Sequence, residues 1–287
     1  VQPLRTSPYS YDQRARASRP GVVTTENIVG TLRCGSDRRW NHAVPVGGAF
    51  HLPDILVPIP PYTLGAWLGD GDGRQALITS ADEGIVAEIR AEGVVVRQRS
   101  AKAHTARGAL GDGVRRRPRG SSIQARLRRL GVLDNKHIPA LYLRASESQR
   151  RALLAGLLDT DGTVTHDGAI GLDLTDEQLA ETARELLVTL GYRPAMSRRR
   201  VHGASEATSI CYRLQFVTDD KVFRLGRKAE THRARRAGRW MRDRNRWRMI
   251  VGVRAIPSVP VRCVQINARD GLYLASRACI PTHNSSL

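Results

Sequence analysis

Two acid–glycine pairs, Asp70-Gly71 and Asp161-Gly162, each close a short apolar run that carries small residues near its start. The first run reads Leu64-Gly65-Ala66-Trp67-Leu68-Gly69-Asp70-Gly71. The second reads Leu154-Ala155-Gly156-Leu157-Leu158-Asp159-Thr160-Asp161-Gly162. Taken singly, either run is a core helix ending in an ordinary Asp-Gly turn. Taken together, in the same order and with the same ending, they suggest a paired site. Gly65, Ala66, Ala155 and Gly156 would let two helix backbones come close, and close packing would bring Asp70 and Asp161 to the same end of the pair. Carboxylates so placed repel unless a cation sits between them. A hard divalent ion such as Mg²⁺, held by oxygens and water, suits that role, and the chemistry it favours is phosphodiester cleavage. Gly71 and Gly162 are expected to end their helices in the left-handed conformation. The first run has Gly69 where Asp159 stands in the second, so Asp70 is matched with Asp161, and Asp159 is read as structural.

The elements that must position these acids repeat. Pro60 and Pro61 precede the first run, where proline is tolerated at a helix start. After it, Leu77-Ile78-Thr79 reads as a strand, 81–92 as a helix, 94–96 as a strand, 103–120 as a Gly- and Arg-rich loop or strand-loop facing solvent, and 121–130 as a helix closed by Gly131. The second half repeats the order: a helix over 146–158, strands at 163–164 and 169–174, and a long helix from Asp176 to Leu190. Strands at 194–200 and 209–216 follow, then a basic helix within 224–248. Residues 1–21 read as a linker or lead-in, 22–250 as the central domain (halves about 60–145 and 146–250), 256–284 as a β-rich tail and 285–287 as the start of a following segment.

The formal net charge is +19, from 46 Lys and Arg against 27 Asp and Glu. Such an excess draws a chain to polyanions, because each neutralised phosphate releases counterions. Arg97, Arg99, Arg198, Arg199, Arg200 and Arg213 lie on or beside the expected strands, and Arg115, Arg116 and Arg117 in the Gly- and Arg-rich stretch 103–120; these are the candidate DNA contacts. Lysine is scarce: only Lys102, Lys136, Lys221 and Lys228 occur. The four cysteines have neither metal-type spacing nor disulfide density, so a reducing cytoplasmic setting is expected. No apolar run is long enough to span a bilayer, and a monomer without membrane contact is expected.

The second run resembles the signature motif of the LAGLIDADG, or dodecapeptide (DOD-type), homing endonucleases. The first resembles the variant found in endonucleases lodged inside inteins. The closing Thr282-His283-Asn284-Ser285 is similar to an intein C-terminal splice junction, and the motif region resembles inteins of bacterial replicative DNA helicases. This resemblance implies an α+β fold of two αββαββα halves related by a pseudo-twofold axis, followed by the β-rich C-terminal part of a Hint-type splicing fold. It implies Mg²⁺ held by Asp70 and Asp161, and double-stranded DNA at an intein-free host site as substrate. Lys136 resembles the family's lysine between the motifs, which polarises the site or stabilises the transition state; Lys228 is its second-half partner, with Lys221 an equal alternative. A decayed, DNA-binding relic that retains only splicing or Asn cyclisation is the other reading.

At the tail, Asn284 can attack its own backbone carbonyl and cut the chain, with His283 supplying acid or base and Ser285 the accepting nucleophile. Cys263 with Thr282 resembles an intein class that starts from an internal cysteine; a small buried core cysteine is the alternative. The N-terminal splicing half is expected in a longer precursor or on a separate chain, with the host protein as the further partner.

Overall fold

The computed structural model describes residues 2–3, 23–34, 38–80, 82–102, 105–111, 122–202, 208–239, 247–257, 259–260, 264–269 and 271–283. The chain divides into two units, Gly48–Met241 and a smaller one made of Val1–Gly47 with Arg242–Leu287.

In the larger unit the first half runs α1 (Pro61–Asp70), β1 (Leu77–Ser80), α2 (Glu83–Ala91), β2 (Val95–Lys102), β3 (Thr105–Gly111) and α3 (Ile123–Arg129). A short helical turn, α4 (Ala140–Leu143), leads into the second half. There follow α5 (Glu147–Asp161), β4 (Gly162–Val164), β5 (Ile170–Leu174), α6 (Glu177–Thr189), β6 (Ala195–His202), β7 (Thr208–Phe216) and α7 (Gly226–Arg236). Each half builds one antiparallel sheet, β1-β3-β2 in the first and β4-β5-β7-β6 in the second. An isolated bridge between Gly71 and Ile78 stands where β4 pairs β5 in the other half, so the two halves share one design.

Local chemistry sets the ends of these elements. Pro61 opens α1, and the Glu92 carboxylate accepts from the Tyr62 and Thr63 amides at 3.1 and 2.8 Å, satisfying donors that a helix start leaves unpaired. Ser146 and Gln149 form a capping box on α5, Asp176 caps α6 and Ser122 caps α3. Gly131 and Gly191 take the left-handed conformation just past α3 and α6. One apolar core runs from Ile59 to Leu225 and takes in both motif helices, which are buried along most of their length.

Several expectations change. Of the two readings of 103–120, the strand-loop is the one with a strand in it: the stretch contains β3, which pairs on both sides. Among the described residues of the basic run 224–248, the helix ends at Arg236: Ala237 leaves it and Gly238 is left-handed. In the smaller unit His42–Pro45 pairs with Gln2–Pro3 and Trp247–Met249, and Leu272–Ala275 pairs with Ile280–His283. The boundary therefore falls at Gly48 and Met241, because the strand at 42–45 finds its partner at 247–249. Of the β-rich tail expected over 256–284, residues 259–260 and 264–266 form no strand. Residue 1 and residues 4–22, which hold most of the lead-in, lie outside the described residues. Among those described, no helix is long and apolar enough to cross a membrane.

Candidate active site

Counted back from the shared Asp-Gly ending, Gly65 corresponds to Gly156, Tyr62 to Leu153, and Gly69 to Thr160. The packing follows this register. A methyl group on Gly65 would run into the Leu153 carbonyl oxygen, and one on Gly156 into the Tyr62 carbonyl oxygen. The two helices thus touch backbone to backbone at reciprocal points, which only glycine permits. One on Gly69 would strike Thr160 and lie 3.0 Å from Asp161 Oδ2. Gly69 is therefore the counterpart of Thr160, and Leu68 stands in the place of Asp159. Nor are Gly71 and Gly162 left-handed: their φ angles are −80° and −74°. They are small for another reason. A side chain on Gly71 would meet the Trp67 carbonyl and ring, and one on Gly162 the Leu158 backbone.

This contact delivers Asp70 and Asp161 to the same end of the pair, close enough for the charge of Asp70 to act on Asp161. Asp161 is pushed up to about 6 from the usual carboxylate value, first by burial and then by the charge of Asp70. Asp70 is also raised, chiefly by burial. Lys136 and Lys228 oppose both shifts.

Each lysine holds the end of one motif helix. Lys136 Nζ donates to the Gly69 and Gly71 carbonyls at 3.1 and 2.8 Å, with its ammonium 5.4 Å from the Trp67 ring centroid. Lys228 Nζ donates to the carbonyls of Leu158, Asp159, Thr160 and Gly162 at 2.8–3.2 Å, and lies 6.0 Å from the Phe223 ring centroid. A cation at a helix C-terminus satisfies the last carbonyls and offsets the partial negative charge there. Burial lowers the pKa of both ammoniums while the neighbouring carboxylates hold it up. Of the two second-half lysines, Lys228, on α7, is the one at the site, and Lys221 is exposed in the loop before that helix.

Asp159 does different work. It is 1% exposed, and its Oδ2 accepts from Tyr62 Oη at 2.9 Å and from the Arg224 and Leu225 amides at 3.2 Å each. It ties α5 to α1 and to the residues that begin α7. Lys228, on α7, reaches back to the end of α5, so the two side chains interlock the elements in opposite directions. Neither Tyr62 nor Glu92 could be placed at the site from sequence, because both act through partners distant along the chain.

The arginines divide. On β5, Ile170, Leu172 and Leu174 are buried, so Asp173 faces the other way. Register pairs Asp173 with Arg213, and Arg213 with Ser197. Arg199 reaches the same carboxylate at 3.6 Å. Arg97 is exposed next to Val96, which packs on the core. Arg198 corrects the expected set: register places it beside Tyr212 on the helix-covered face, where it pairs with Glu177 and lies 5.2 Å from the Tyr212 ring centroid. Arg200 alternates with Arg199 and falls on Arg198's side of the strand, opposite Ile210. Arg115, Arg116 and Arg117, like the side chain of Arg99, lie outside the described residues.

Among the described residues no cluster of three or more His, Cys, Asp or Glu forms a metal cage. The donor set at Asp70 and Asp161 nevertheless fits a hard cation. Both groups are raised, with no hydrogen bond among the causes of either shift, and the lysines beside them spend their donors on backbone carbonyls.

In the smaller unit, Leu272 pairs with His283 and Tyr273 with Thr282, whose hydroxyl donates to the Ile280 carbonyl at 3.1 Å. The His283 ring rests against Gly271, where a Cβ would lie 2.8 Å from Nε2. Cys263, Asn284 and Ser285 lie outside the described residues.

Comparison with known proteins matches residues 148–228 to the family described as LAGLIDADG-like domain. A replicative DNA helicase DnaB of Mycobacterium intracellulare is 50% identical over 267 residues, 93% of this chain and 42% of that protein. A replicative DNA helicase DnaB of Mycobacterium leprae (strain TN) is 55% identical over 38 residues, 13% of this chain and 6% of that protein. The chain thus spans less than half the length of the curated relatives it matches. A solved structure of I-DmoI in complex with DNA and Mn is 15% identical, covers 56% of this chain and 89% of that one, and gives a TM-score of 0.37. That likeness is too distant to bear on the chemistry.

Proposed function

From the premise that this chain carries a LAGLIDADG-like domain over 148–228, we propose that it is a site-specific double-strand DNA endonuclease of the intein-homing kind. The observation that carries the reading is the pair Asp70 and Asp161, each at the end of a motif helix with a lysine bound to that helix's last carbonyls. A net charge of +19 supports a nucleic-acid substrate.

In this reading Arg97, exposed on the first sheet, and Arg199 and Arg213, on the second sheet's face away from Ile170, Leu172 and Leu174, meet DNA, strands being a form the major groove admits. Asp70 and Asp161 hold a divalent cation, Mg²⁺ in the expected case, which when bound activates water and stabilises charge on the attacked and departing oxygens. Lys136 and Lys228 keep the helix ends at fixed positions and place positive charge beside the scissile phosphates. DNA lacking the insertion at the matching helicase gene is the substrate, and the helicase is the host, in a cytoplasmic setting.

The test is cleavage of a duplex carrying that uninterrupted gene junction. Asp70→Asn and Asp161→Asn are each expected to reduce Mg²⁺-dependent cutting by roughly 10³-fold or more while DNA affinity stays near the parent value. Parent-rate cutting by both variants would remove the carboxylates from the mechanism. A parent that binds but never cuts would favour the relic reading.

A second activity belongs to the tail. The hairpin that carries Thr282 and His283 supports cyclisation of Asn284, with Ser285 as acceptor and Cys263 as the internal initiating thiol. Mass analysis for loss of the Asn284–Ser285 bond, after co-expression with a matching N-terminal splicing half, tests it.

A further inference from the structure

The mechanism above does not use Asp173, although a carboxylate on a face that meets DNA lowers affinity for phosphate. Its geometry gives it another role. Arg213 Nε donates to Asp173 Oδ1 at 2.7 Å and Arg213 Nη2 donates to Oδ2 at 2.5 Å, a bidentate pair across neighbouring strands. The Arg199 Nη2 lies 3.6 Å from the same Oδ2, and Cys211 Sγ lies 3.7 Å from Oδ1. The Arg213 side chain is 40% exposed and that of Arg199 is 52% exposed, so the cluster is open to solvent.

A guanidinium carries five N–H donors in a rigid plane. Asp173 takes the inner edge, Nε and one hydrogen of Nη2. The outer edge, Nη1 and the second hydrogen of Nη2, is left as a fork held in one orientation. Guanine O6 and N7 in the major groove present the matching pair of acceptors. An arginine meant for phosphate gains nothing from a neighbouring carboxylate, which removes charge. One meant for a base gains a fixed direction.

We propose that Asp173 and Arg213 form a unit that reads one guanine in the second half-site, with Asp173 as the positioning residue and Arg213 as the reader. The inference rests on the DNA-cutting reading above and deepens it. Arg199, sharing the same carboxylate, stands beside the reader on the adjoining strand.

Selection from a randomised duplex pool in calcium, without cleavage, tests this on the full chain. The parent should return a consensus with one G·C pair whose substitution weakens binding roughly tenfold. Arg213→Ala and Arg213→Lys should erase that preference and leave the rest of the consensus standing. Asp173→Asn should lower the guanine preference several-fold while tightening binding to unselected duplex, since it removes a negative charge. A merely structural Asp173 would not split specificity from affinity in that way. If Asp173→Asn keeps the preference, or Arg213→Ala weakens all sequences equally, the guanine-reading unit is wrong and the endonuclease reading survives. If the parent returns no consensus at all, both fall. Thermal melts of the variants show whether any loss comes from unfolding.

Discussion

The two motif halves reach one arrangement by different means. In the first, the lysine comes from a loop, Lys136, and touches two carbonyls of the α1 end. In the second it comes from a helix, Lys228 on α7, and touches four carbonyls around the α5 end. The second half adds Asp159, which fixes the start of α7 and reaches across to Tyr62; the first has apolar Leu68 in that register. What is held constant is the helix end: an acid, a glycine too crowded to be anything larger, and an ammonium on the last carbonyls. What varies is the support behind it. The family match over 148–228 falls on the half with the fuller support.

The contact shared by both halves should be the most sensitive to change. Gly65→Val and Gly156→Val each force a side chain into the facing helix's backbone, which cannot retreat. Each is expected to cost more than about 4 kcal/mol, enough to prevent folding of the larger unit. Expression and circular dichroism read this directly. Unequal outcomes would break the symmetry, and a soluble, folded Gly156→Val would contradict the backbone contact itself.

The unequal support predicts a graded effect next. Lys228→Met leaves four carbonyls without their cation and is expected to destabilise by on the order of 3 kcal/mol. Lys136→Met leaves two, and about 1.5 kcal/mol is expected. Urea unfolding of the pair measures the difference. Equal losses would mean that the loop lysine is held as firmly as the helical one, and that the extra carbonyls of the second half add nothing.

The shared features were readable in the sequence because they are local. Asp70, Asp161, the glycines and the alternating strands are all fixed by spacing within one element, and scarcity drew attention to Lys136. What escaped depends on register between elements. Nothing in Ile170–Leu174 alone says that Asp173 faces Arg213, because their pairing is set by strands some forty residues apart. Arg198, Arg199 and Arg200 look alike in sequence, yet alternation sends the middle one to Asp173 and Arg198 to Glu177. The left-handed glycines expected at 71 and 162 failed for a related reason: the pressure on them comes from Trp67 and Leu158 one turn back, not from φ. The tail could be read as a motif, and of its reacting groups His283 is the one among the described residues, paired with Leu272 across its hairpin.

The smallest expected effect has the opposite sign and tests whether the acids strain the fold. Asp161 ionises near pH 6 in the folded chain, against a usual value of 3.8. Between those values the folded state binds more protons than the unfolded one, so stability falls as pH rises through that window. Below it both states are protonated and no penalty exists; above it the penalty is complete. Asp161→Asn should therefore match the parent below about pH 4 and exceed it above pH 6, by on the order of 1–2 kcal/mol in chelator. Asp70→Asn should act in the same direction, because it removes the charge that, after burial, raises Asp161. The double variant should gain less than the sum, since each single change already relieves the shared repulsion. Thermal melts across pH 4–8 give all three comparisons. A lower melting temperature for Asp161→Asn at pH 8 would mean that the two carboxylates are not held against each other, and the asymmetry between halves would then be one of packing alone.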